Sequence, residues 1–285
     1  MHTVKTAPSS GYVHGYAEPE TRRLGDQADT LADLLHAGTA YPAGSRVLEV
    51  GCGVGAQTAH LVAGSPGARF VSIDTAAASL ASARARLSTR PTVSWCRADL
   101  FDPPFATGSF DHLFLCFVLE HLAHPEWALA GLRRVLRPGG SVTVIEGDHG
   151  SALFHPDSAH ARAAIGCQVR LQAAAGGNAL VGRQLQPLLT GAGYRGVRVR
   201  PRTVYADQTR PDLVDGFTRN TFTAMVAAVR DDAVAAGLST PADFDRGVAD
   251  LRRTGEPGGT FHYTFFKAVA VNPGCGGDRG EAAMP

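Results

Sequence analysis

The chain has 285 residues, of which 44% are hydrophobic and 19% are charged, so it can bury a sizeable core and is not expected to be disordered. Its 27 basic and 26 acidic side chains leave a formal net charge of +1, which argues against capture of nucleic acid by a concentrated basic surface. The 5 cysteines are scattered without a C-x-x-C pair, which argues against a disulfide framework and against a metal site.

The first ten residues are polar and contain no hydrophobic run of the kind that marks a signal peptide. No segment of the chain approaches the roughly 18 consecutive apolar residues that a membrane span requires. We therefore expect a cytoplasmic protein that does not bind a membrane.

Short apolar strands alternate with helical runs over the first half of the chain. A helix is predicted over residues 19–36, because Leu24, Ala28 and Leu31 recur at helical spacing. Strands are predicted over residues 46–50, 69–73, 92–97, 110–116 and 141–146, separated by helices over residues 56–63, 76–87 and 125–136. Such alternation predicts a parallel sheet with helices on both faces.

The pattern is less regular after residue 146. Residues 147–182 are interpreted as a helical insertion joined by loops, and a further helix begins near residue 182. Beyond it we predict a strand over 194–205, helices over 211–236 and 241–253 that each begin with a proline, and a closing aromatic strand over 260–271. The Gly-rich polar tail, 272–285, is expected to be disordered.

A glycine-rich turn follows the first predicted strand directly and begins a helix. Gly51, Gly53 and Gly55 allow the backbone to turn tightly and to approach a ligand, and the helix that follows offers unpaired N–H groups. Asp74 ends the second strand, where a carboxylate can accept both hydroxyls of a ribose. The alternative for Asp74 is a cap on the next helix. The loop and the acid together indicate an adenosine-containing cofactor.

Two classes of protein bind such a cofactor in this way. A nicotinamide dehydrogenase is expected to carry Gly-x-Gly-x-x-Gly, whereas this chain carries the more compact Gly-x-Gly-x-Gly. The compact loop resembles the first motif of class I S-adenosylmethionine-dependent methyltransferases. Residues 96–100, 109–116, 118–122 and 136–140 resemble later motifs of that family, in the same order, and 118–122 resembles the ubiquinone/menaquinone-type group in particular.

The resemblance implies an α/β fold with a doubly wound, Rossmann-like, seven-stranded sheet, an N-terminal helix and helical insertions that cover the substrate. It also implies S-adenosyl-L-methionine as the cofactor and S-adenosyl-L-homocysteine as its product. The chain is then divided into an N-terminal segment and helix (1–44), a cofactor-binding core (45–147), a substrate-covering part that completes the sheet (148–271) and the tail.

Cofactor contacts follow from the same resemblance. The implied contacts are Gly51, Cys52 and Gly53 along the methionine portion, Asp74 and Thr75 at the ribose, Asp99 and Leu100 at the adenine, and Cys116 and Phe117 beside the sulfonium. Gln57 either touches the cofactor's carboxylate or lies on the helix surface. Tyr12 and Tyr16, in a Gly-rich segment ahead of the first helix, are hypothesised to fold over the cofactor as a lid, or else anchor that helix.

The substrate pocket of this fold lies beyond the carboxyl ends of the strands. Glu146, His149 and His155 are the candidate catalytic groups, Glu146 as a base or a group that steadies a cation, and the histidines as proton acceptors. Each histidine can instead have a structural role. The candidate substrate-binding residues are His121, Phe154, Tyr205, Phe217 and Phe222.

The second half of the chain contains Ala, Phe and Met and little Lys, which favours a small apolar substrate over a protein or nucleic acid. Residues 11–16 and 26–31 resemble the start of a bacterial group that includes the teleocidin C-methyltransferase. This resemblance implies methylation of a prenyl double bond on an indole alkaloid, followed by cyclisation through a carbocation that aromatic faces stabilise.

Two alternatives remain open. An O- or N-methyltransferase acting on another small aromatic natural product would use a His or Glu base, and a non-catalytic protein would bind the cofactor without turnover. The amphipathic N-terminal helix precedes a Tyr-Pro-Ala-Gly hinge, so it could pack on, or swap with, a neighbouring subunit. We therefore predict a homo-oligomer.

Overall fold

The structure is a computed structural model that describes residues 18–274, with side chains from residue 23 onward. Tyr12 and Tyr16, for which a lid role is predicted, lie outside the described residues, as does most of the tail. Within the described part, no helix combines the length and the apolar character that crossing a bilayer would require.

Seven strands of the described chain form one sheet. Their bounds are β1 Arg46–Val50, β2 Arg69–Asp74, β3 Val93–Arg97, β4 Phe110–Cys116, β5 Leu136–His155, β6 Arg195–Ala206 and β7 Thr260–Val271. The strand order is β3-β2-β1-β4-β5-β7-β6. β7 runs antiparallel to both β5 and β6, and the other pairs are parallel. The order therefore reverses between β1 and β4, as in a doubly wound sheet.

Helices cover both faces of this sheet. Their bounds are α1 Glu18–His36, α2 Ala56–Gly64, α3 Ala77–Arg86, α4 Pro125–Val135, α5 Ala159–Ala174, α6 Leu185–Gly191, α7 Pro211–Leu213, α8 Ala224–Ala228, α9 Arg230–Ala235 and α10 Pro241–Arg253. Two 3₁₀ turns, Leu119–His121 and Val181–Gln184, complete the described helical elements together with a π-helix, Val214–Thr223. α4 and α10 begin with proline, which suits the first helical turn because that position needs no N–H donor.

Two apolar clusters lie on opposite faces of the sheet. Val47 and Phe114 belong to one cluster, while Leu48 and Leu113 belong to the other. Successive side chains of a strand point to opposite faces, so a strand that is buried on both faces must be apolar at nearly every position. This is why β1 and β4 are mostly apolar in the sequence, with Glu49 as a buried exception in β1.

The strand β5 is longer than predicted. It continues past residue 146 as far as His155, where the sequence pattern indicates an insertion of loops and helix. A register shift lies between Asp148 and Leu153, after which Leu153 to His155 pair with β7. A bulge of this kind breaks the alternation that identifies a strand, so the extension was not recognisable in the sequence. The inserted helix α5 begins only at Ala159.

A buried lysine anchors the C-terminal end of α1 to the sheet. Lys267 of β7 donates hydrogen bonds from Nζ to the carbonyls of Leu35 at 3.0 Å and Ala37 at 2.9 Å, and to the hydroxyl of Thr39. These carbonyls have no partner inside the helix, and a cation is favoured at this end of the helix dipole. Burial lowers the pKa of Lys267 to about 8. This anchor fixes α1 beside the carboxyl ends of the strands.

The apolar face of α1 is also held within its own chain. Ala28, Leu31 and Leu35 are at most 1% exposed. An oligomer contact through this face would therefore require α1 to detach, and the predicted homo-oligomer stays a prediction.

Candidate active site

A cavity of about 320 Å³ lies where the strand order reverses, beside the carboxyl ends of β1, β2 and β4. Small-molecule sites commonly measure roughly 300–1,000 Å³ and are mostly apolar with a few polar groups. The glycine loop after β1, Asp74 at the end of β2 and Cys116 at the end of β4 all line the cavity. The fold therefore brings together segments that are far apart in the sequence.

The glycine loop forms the part of the cavity that follows β1. Gly51, Gly53 and Gly55 have φ angles of 69°, 52° and 74°, in the left-handed region that side chains other than hydrogen disfavour. A Cβ atom at Gly51 would lie 2.7 Å from Cγ2 of Val118. Both the backbone angle and the close packing therefore require glycine at position 51. Gly51, Cys52 and Gly53 line the cavity.

Asp74 both supports the glycine loop and faces the cavity. Its Oδ2 accepts a hydrogen bond from the N–H of Gly53 at 2.9 Å, and its Oδ1 accepts one from the N–H of Ala76 at 2.8 Å. A carboxylate has about four acceptor sites, so each oxygen retains capacity for a ligand hydroxyl. The two interpretations that the sequence left open, a ligand contact and a local cap, are therefore compatible.

Asp99 differs from the expectation. Its carboxylate is exposed and accepts the N–H of Phe101 at 2.9 Å, and Asp99 does not line the cavity, whereas its neighbours Ala98 and Leu100 do. The implied contact of the Asp99 side chain with adenine therefore has no support in this geometry. The residue caps a local turn, as aspartate often does.

Thr75, Cys116, Phe117 and Gln57 all line the cavity, in keeping with their predicted positions. Oε1 of Gln57 also accepts a hydrogen bond from Nε2 of His36 at 2.7 Å. Its side chain is thus shared between the cavity and the contact between α1 and α2.

Phe117 has a backbone conformation that is unusual for a bulky residue. Its φ is 59°, and its N–H donates to the carbonyl of Ile145 at 2.9 Å. A non-glycine residue in this region costs about 1–3 kcal/mol, and such strain is concentrated at functional sites. The strained backbone leaves the ring 5.5 Å from that of Phe265, with both residues lining the cavity.

Five aromatic residues form one side of the cavity, here called the aromatic wall. They are Phe117, Phe217, Phe222, Tyr263 and Phe265. The centroids of neighbouring rings in the wall lie between 4.7 Å and 6.3 Å apart, within the range of favourable aromatic pairs. The wall makes this side of the cavity apolar and fixes its shape.

His149 of β5 lies against the aromatic wall. Its Nδ1 is 2.9 Å from the hydroxyl of Tyr263, and its Nε2 is buried without a hydrogen-bond partner among the described residues. Burial lowers the pKa of His149, although the charges of Glu120 and Asp148 act in the opposite direction. Burial also raises the pKa of Tyr263 well above its usual value. The neutral imidazole has an acceptor at Nε2 in the tautomer that carries its proton on Nδ1 and donates it to Tyr263.

Glu146 does not line the cavity, which corrects its predicted role as a base. Alternate residues of β5 point to opposite faces, so Gly147 and His149 line the cavity while Glu146 points away. Its Oε1 accepts the N–H groups of Val118 at 2.9 Å and Leu119 at 2.7 Å, which secures the turn after β4. Burial raises the pKa of Glu146 well above its ordinary value, and the charge of Glu120 adds to this.

Three of the predicted site residues line the cavity, namely His121, Phe217 and Phe222. Three others, His155, Phe154 and Tyr205, lie outside it. His155 is exposed at the end of β5. Phe154 stacks on Phe261, with parallel rings 6.3 Å apart. Tyr205 is 53% exposed on the edge strand β6. The predicted catalytic role of His155 and the substrate contacts of Phe154 and Tyr205 are therefore not supported by their positions.

Sequence reasoning missed Tyr263 and Phe265. They are two residues apart on β7 and thus share a face, and Phe265 pairs with Gly147 across the strands. A Cβ atom at Gly147 would lie 2.5 Å from the hydroxyl of Tyr263, so the absence of a side chain there makes room for the tyrosine. The alternating aromatic run was visible in the sequence, but the continuation of β5 past residue 146, beside which it lies, was not.

A family model described as a methyltransferase domain matches residues 48–144. These residues contain β1 to β4 and part of β5, together with the loop and acid that line the cavity. The chain therefore contains a class I S-adenosylmethionine-dependent methyltransferase domain, with S-adenosylmethionine as its cofactor.

Two relatives are similar to this chain, and one of them is named as a methyltransferase. Over 232 residues the chain is 36% identical to an uncharacterized 37.1 kDa protein in transposon TN4556 of Streptomyces fradiae, covering 76% of this chain and 65% of that protein. Over 161 residues it is 30% identical to the ubiquinone/menaquinone biosynthesis C-methyltransferase of Paracoccus denitrificans, covering 51% of this chain and 63% of the relative. The chain thus spans less than two thirds of the length of either relative.

A solved structure shows the same fold. Phosphoethanolamine N-methyltransferase 2 of Haemonchus contortus, in complex with phosphomonomethylethanolamine and S-adenosylhomocysteine, matches with a TM-score of 0.54 and 16% identity. The match covers 86% of this chain and 53% of that one.

The residues of the cavity fit the cofactor. Asp74 presents acceptor oxygens suited to ribose hydroxyls, the glycine loop leaves the backbone accessible, and Ile73, Ala98 and Leu100 offer apolar surface for a base. These are the residues that would hold S-adenosylmethionine, which supplies an electrophilic methyl group when it is bound.

Proposed function

We propose that this chain is an enzyme that transfers the methyl group of S-adenosylmethionine to a carbon atom of a small apolar acceptor. The observation that carries the proposal is that one cavity is lined both by Gly51 and Asp74 and by the aromatic wall. A single cavity can hold cofactor and acceptor in a fixed orientation and exclude water, which is most of what this reaction asks of the protein. The name of the Paracoccus relative supports carbon as the methylated atom.

The acceptor we propose is a prenylated indole of the teleocidin type. When a methyl group adds to one carbon of the prenyl double bond, the other carbon becomes a cation. The ring faces of the aromatic wall are suited to stabilise that charge. The cation then bonds to a carbon of the indole ring, and His149 accepts the proton that this ring carbon loses. Neutral His149, whose Nε2 has no hydrogen-bond partner among the described residues, suits that last step.

The test is incubation of the full chain with prenylated indole lactam and methyl-labelled S-adenosylmethionine. We expect a product with a new methyl group on carbon, identified by mass and by NMR. Asp74→Asn should greatly reduce product formation, whereas Asp99→Asn, altered outside the cavity, should not. Products methylated only on oxygen or nitrogen would contradict C-methylation.

A second candidate is methyl transfer to oxygen or nitrogen of a small aromatic molecule. It is favoured by the unpartnered Nε2 of His149, because a neutral imidazole can remove the proton of a phenol or an indole as it is methylated. Incubation with 1-naphthol would yield a methyl ether if this candidate is correct. Binding of the cofactor without turnover of any acceptor would instead indicate a non-catalytic protein.

Two further predictions belong with this proposal. If Tyr16 forms part of a lid, Tyr16→Phe should weaken cofactor binding in calorimetry, and unchanged binding would contradict the lid. If the chain forms a homo-oligomer, light scattering should give a multiple of the monomer mass, and a monomer mass alone would contradict it.

A further inference from the structure

The π-helix Val214–Thr223 is ten residues long, whereas π-helical winding normally occurs as single-turn bulges, frequently at functional sites. Its hydrogen bonds reach five residues back, as in the bond from the N–H of Ala224 to the carbonyl of Arg219. The hydroxyl of Thr221 also donates to the carbonyl of Gly216, five residues earlier, at 2.7 Å. The unusual winding is thus maintained over the whole segment.

This winding decides which side chains reach the cavity. Phe217, Thr221 and Phe222 line it, and Thr221 and Phe222 follow Phe217 by four and five residues. In an α-helix of 3.6 residues per turn, Phe222 would point about 140° away from Phe217. Bonding from residue i to i+5 places residues five apart on nearly the same side. The π-helix is therefore what allows both phenylalanines to face the cavity.

The two rings lie against the candidate base and its partner. The centroid of Phe222 is 5.8 Å from His149 and 5.4 Å from Tyr263, and Phe217 is 5.4 Å from Tyr263. Both phenylalanines are 1% exposed, so neighbouring side chains hold their rings in place. Because both line the cavity, an acceptor there meets Phe217 and Phe222 next to Nε2 of His149, which has no partner among the described residues.

Packing against α1 keeps the segment in place. A side chain at Gly216 would collide with Thr30 of α1, so the π-helix and α1 approach closely at this glycine. Arg23, Leu24 and Gln27 at the other end of α1 line the same cavity. The π-helix is thus held between α1 and the aromatic residues of β7, in a position that an acceptor cannot easily displace.

We propose that Phe217 and Phe222, brought to one side by the π-helix, are the specificity-determining residues that select a flat aromatic ring as the acceptor. The proposal rests on the proposed function and names the ring chemistry that the site accepts. Aromatic pairs gain from offset or edge-to-face contact at centroid distances of 4.5–7 Å. A saturated ring of similar size fills the space without that gain.

The experiment compares 1-naphthol with its saturated counterpart, 1-decalol, by calorimetry on the full chain in the presence of S-adenosylhomocysteine. We expect 1-naphthol to bind about tenfold more tightly, equivalent to about 1.4 kcal/mol. In Phe217→Leu and Phe222→Leu the preference should fall below about threefold, because leucine fills the space without a ring face. Phe154→Leu, which alters a stacked phenylalanine outside the cavity, is the matched control and should keep the wild-type preference.

Three results would overturn this proposal: 1-naphthol binding no tighter than 1-decalol, a preference that survives in both leucine variants, or an equal loss in Phe154→Leu. Thermal melts establish that each variant is folded.

Titration with S-adenosylhomocysteine alone separates this proposal from the proposed function. If the cofactor product binds and the ring preference is absent, only the ring selection fails. If the cofactor product does not bind, the methyltransferase proposal fails.

Discussion

The hydroxyl of Tyr263 lies 2.9 Å from Nδ1 of His149, and this contact joins the two antiparallel strands that border the cavity. It occupies one nitrogen of the imidazole and leaves the other, Nε2, without a partner among the described residues. The contact therefore orients the ring and determines which nitrogen is available to a ligand. Four predictions follow from this and from three other relationships in the site.

The first prediction concerns the pH dependence that His149 confers. Burial lowers its pKa below the ordinary 6.5, so the imidazole is neutral and able to accept a proton at neutral pH. The rate of product formation should therefore fall only as the pH drops below about 6.5. His149→Gln should lower kcat by roughly 10²–10⁴-fold, and Tyr263→Phe by less.

NMR titration of the imidazole provides a readout that does not depend on the acceptor. It should place the pKa of His149 below 6.5, and the tautomer should change in Tyr263→Phe because Nδ1 loses its partner. His155→Gln, altered at an exposed position, is the control and should retain wild-type kcat. A fully active His149→Gln would show that the reaction needs no base at this position.

The second prediction separates Asp74 from Asp99. Asp74→Asn removes a charged acceptor that lines the cavity and holds the N–H of Gly53, so cofactor affinity should fall by about 1.5–3 kcal/mol, or roughly ten- to hundredfold. Asp99→Asn should change affinity less than about threefold, because its side chain is exposed and outside the cavity. Calorimetry with S-adenosylhomocysteine measures both. Equal losses in the two variants would mean that Asp99 turns into the site when the cofactor binds.

The third prediction compares two glycines of the same loop. Both have positive φ, but a Cβ atom at Gly51 would lie 2.7 Å from Val118, whereas a Cβ atom at Gly53 has no heavy atom within 4 Å. Gly53→Ala should cost about 1–2 kcal/mol from the backbone alone, and Gly51→Ala should cost more because Val118 must also move. Urea unfolding measures the free energies.

Val118→Ala supplies the control for this comparison. In the double variant with Gly51→Ala, the smaller side chain at position 118 should remove the steric cost of the new Cβ atom. The cost of the positive φ angle at position 51 should remain. A Gly51→Ala variant as stable as Gly53→Ala would contradict the packing argument.

The fourth prediction tests the structural role of Glu146. Its Oε1 accepts two backbone N–H groups, and an amide oxygen can do the same. Glu146→Gln should therefore retain activity, whereas Glu146→Ala should lose about 1–3 kcal/mol of stability by leaving buried donors unpaired. A large loss of kcat in a folded Glu146→Gln would restore Glu146 as a candidate base.

The pH dependence of stability gives a second test of Glu146. Burial raises its pKa above the ordinary 4.5, so above pH 4.5 the unfolded carboxyl loses a proton that the folded one keeps. The wild type therefore loses stability as the pH rises through this window, while glutamine does not titrate. The free energy of unfolding of Glu146→Gln relative to wild type should increase from pH 4 to pH 7, as measured by urea unfolding. A constant difference would contradict the raised pKa.

Sequence reasoning was most successful where one signal dominated. The strand Phe110–Cys116 and the helix Pro241–Arg253 have the predicted bounds, because a mostly apolar strand and an amphipathic pattern that begins with proline are each local signals. The π-helix was predicted only as part of a helical stretch over 211–236. Apolar spacing does not distinguish bonds to residue i+4 from bonds to residue i+5, so the common orientation of Phe217 and Phe222 could not be foreseen.

By itself, the sequence determined that the glycine loop and Asp74 meet in the cofactor half of the site, but not the position of the Asp99 side chain. Gly51 and Gly53 directly follow β1, and Asp74 ends the neighbouring strand β2. Their positions along the chain are therefore sufficient to predict that they lie close together. Only the tertiary structure decided the acceptor half. Whether Glu146 or His149 reaches the cavity depends on which face of β5 each occupies, and Tyr263 enters because β7, more than a hundred residues later in the chain, pairs with that strand. Long-range strand register is set by packing across the whole sheet, and no local pattern records it.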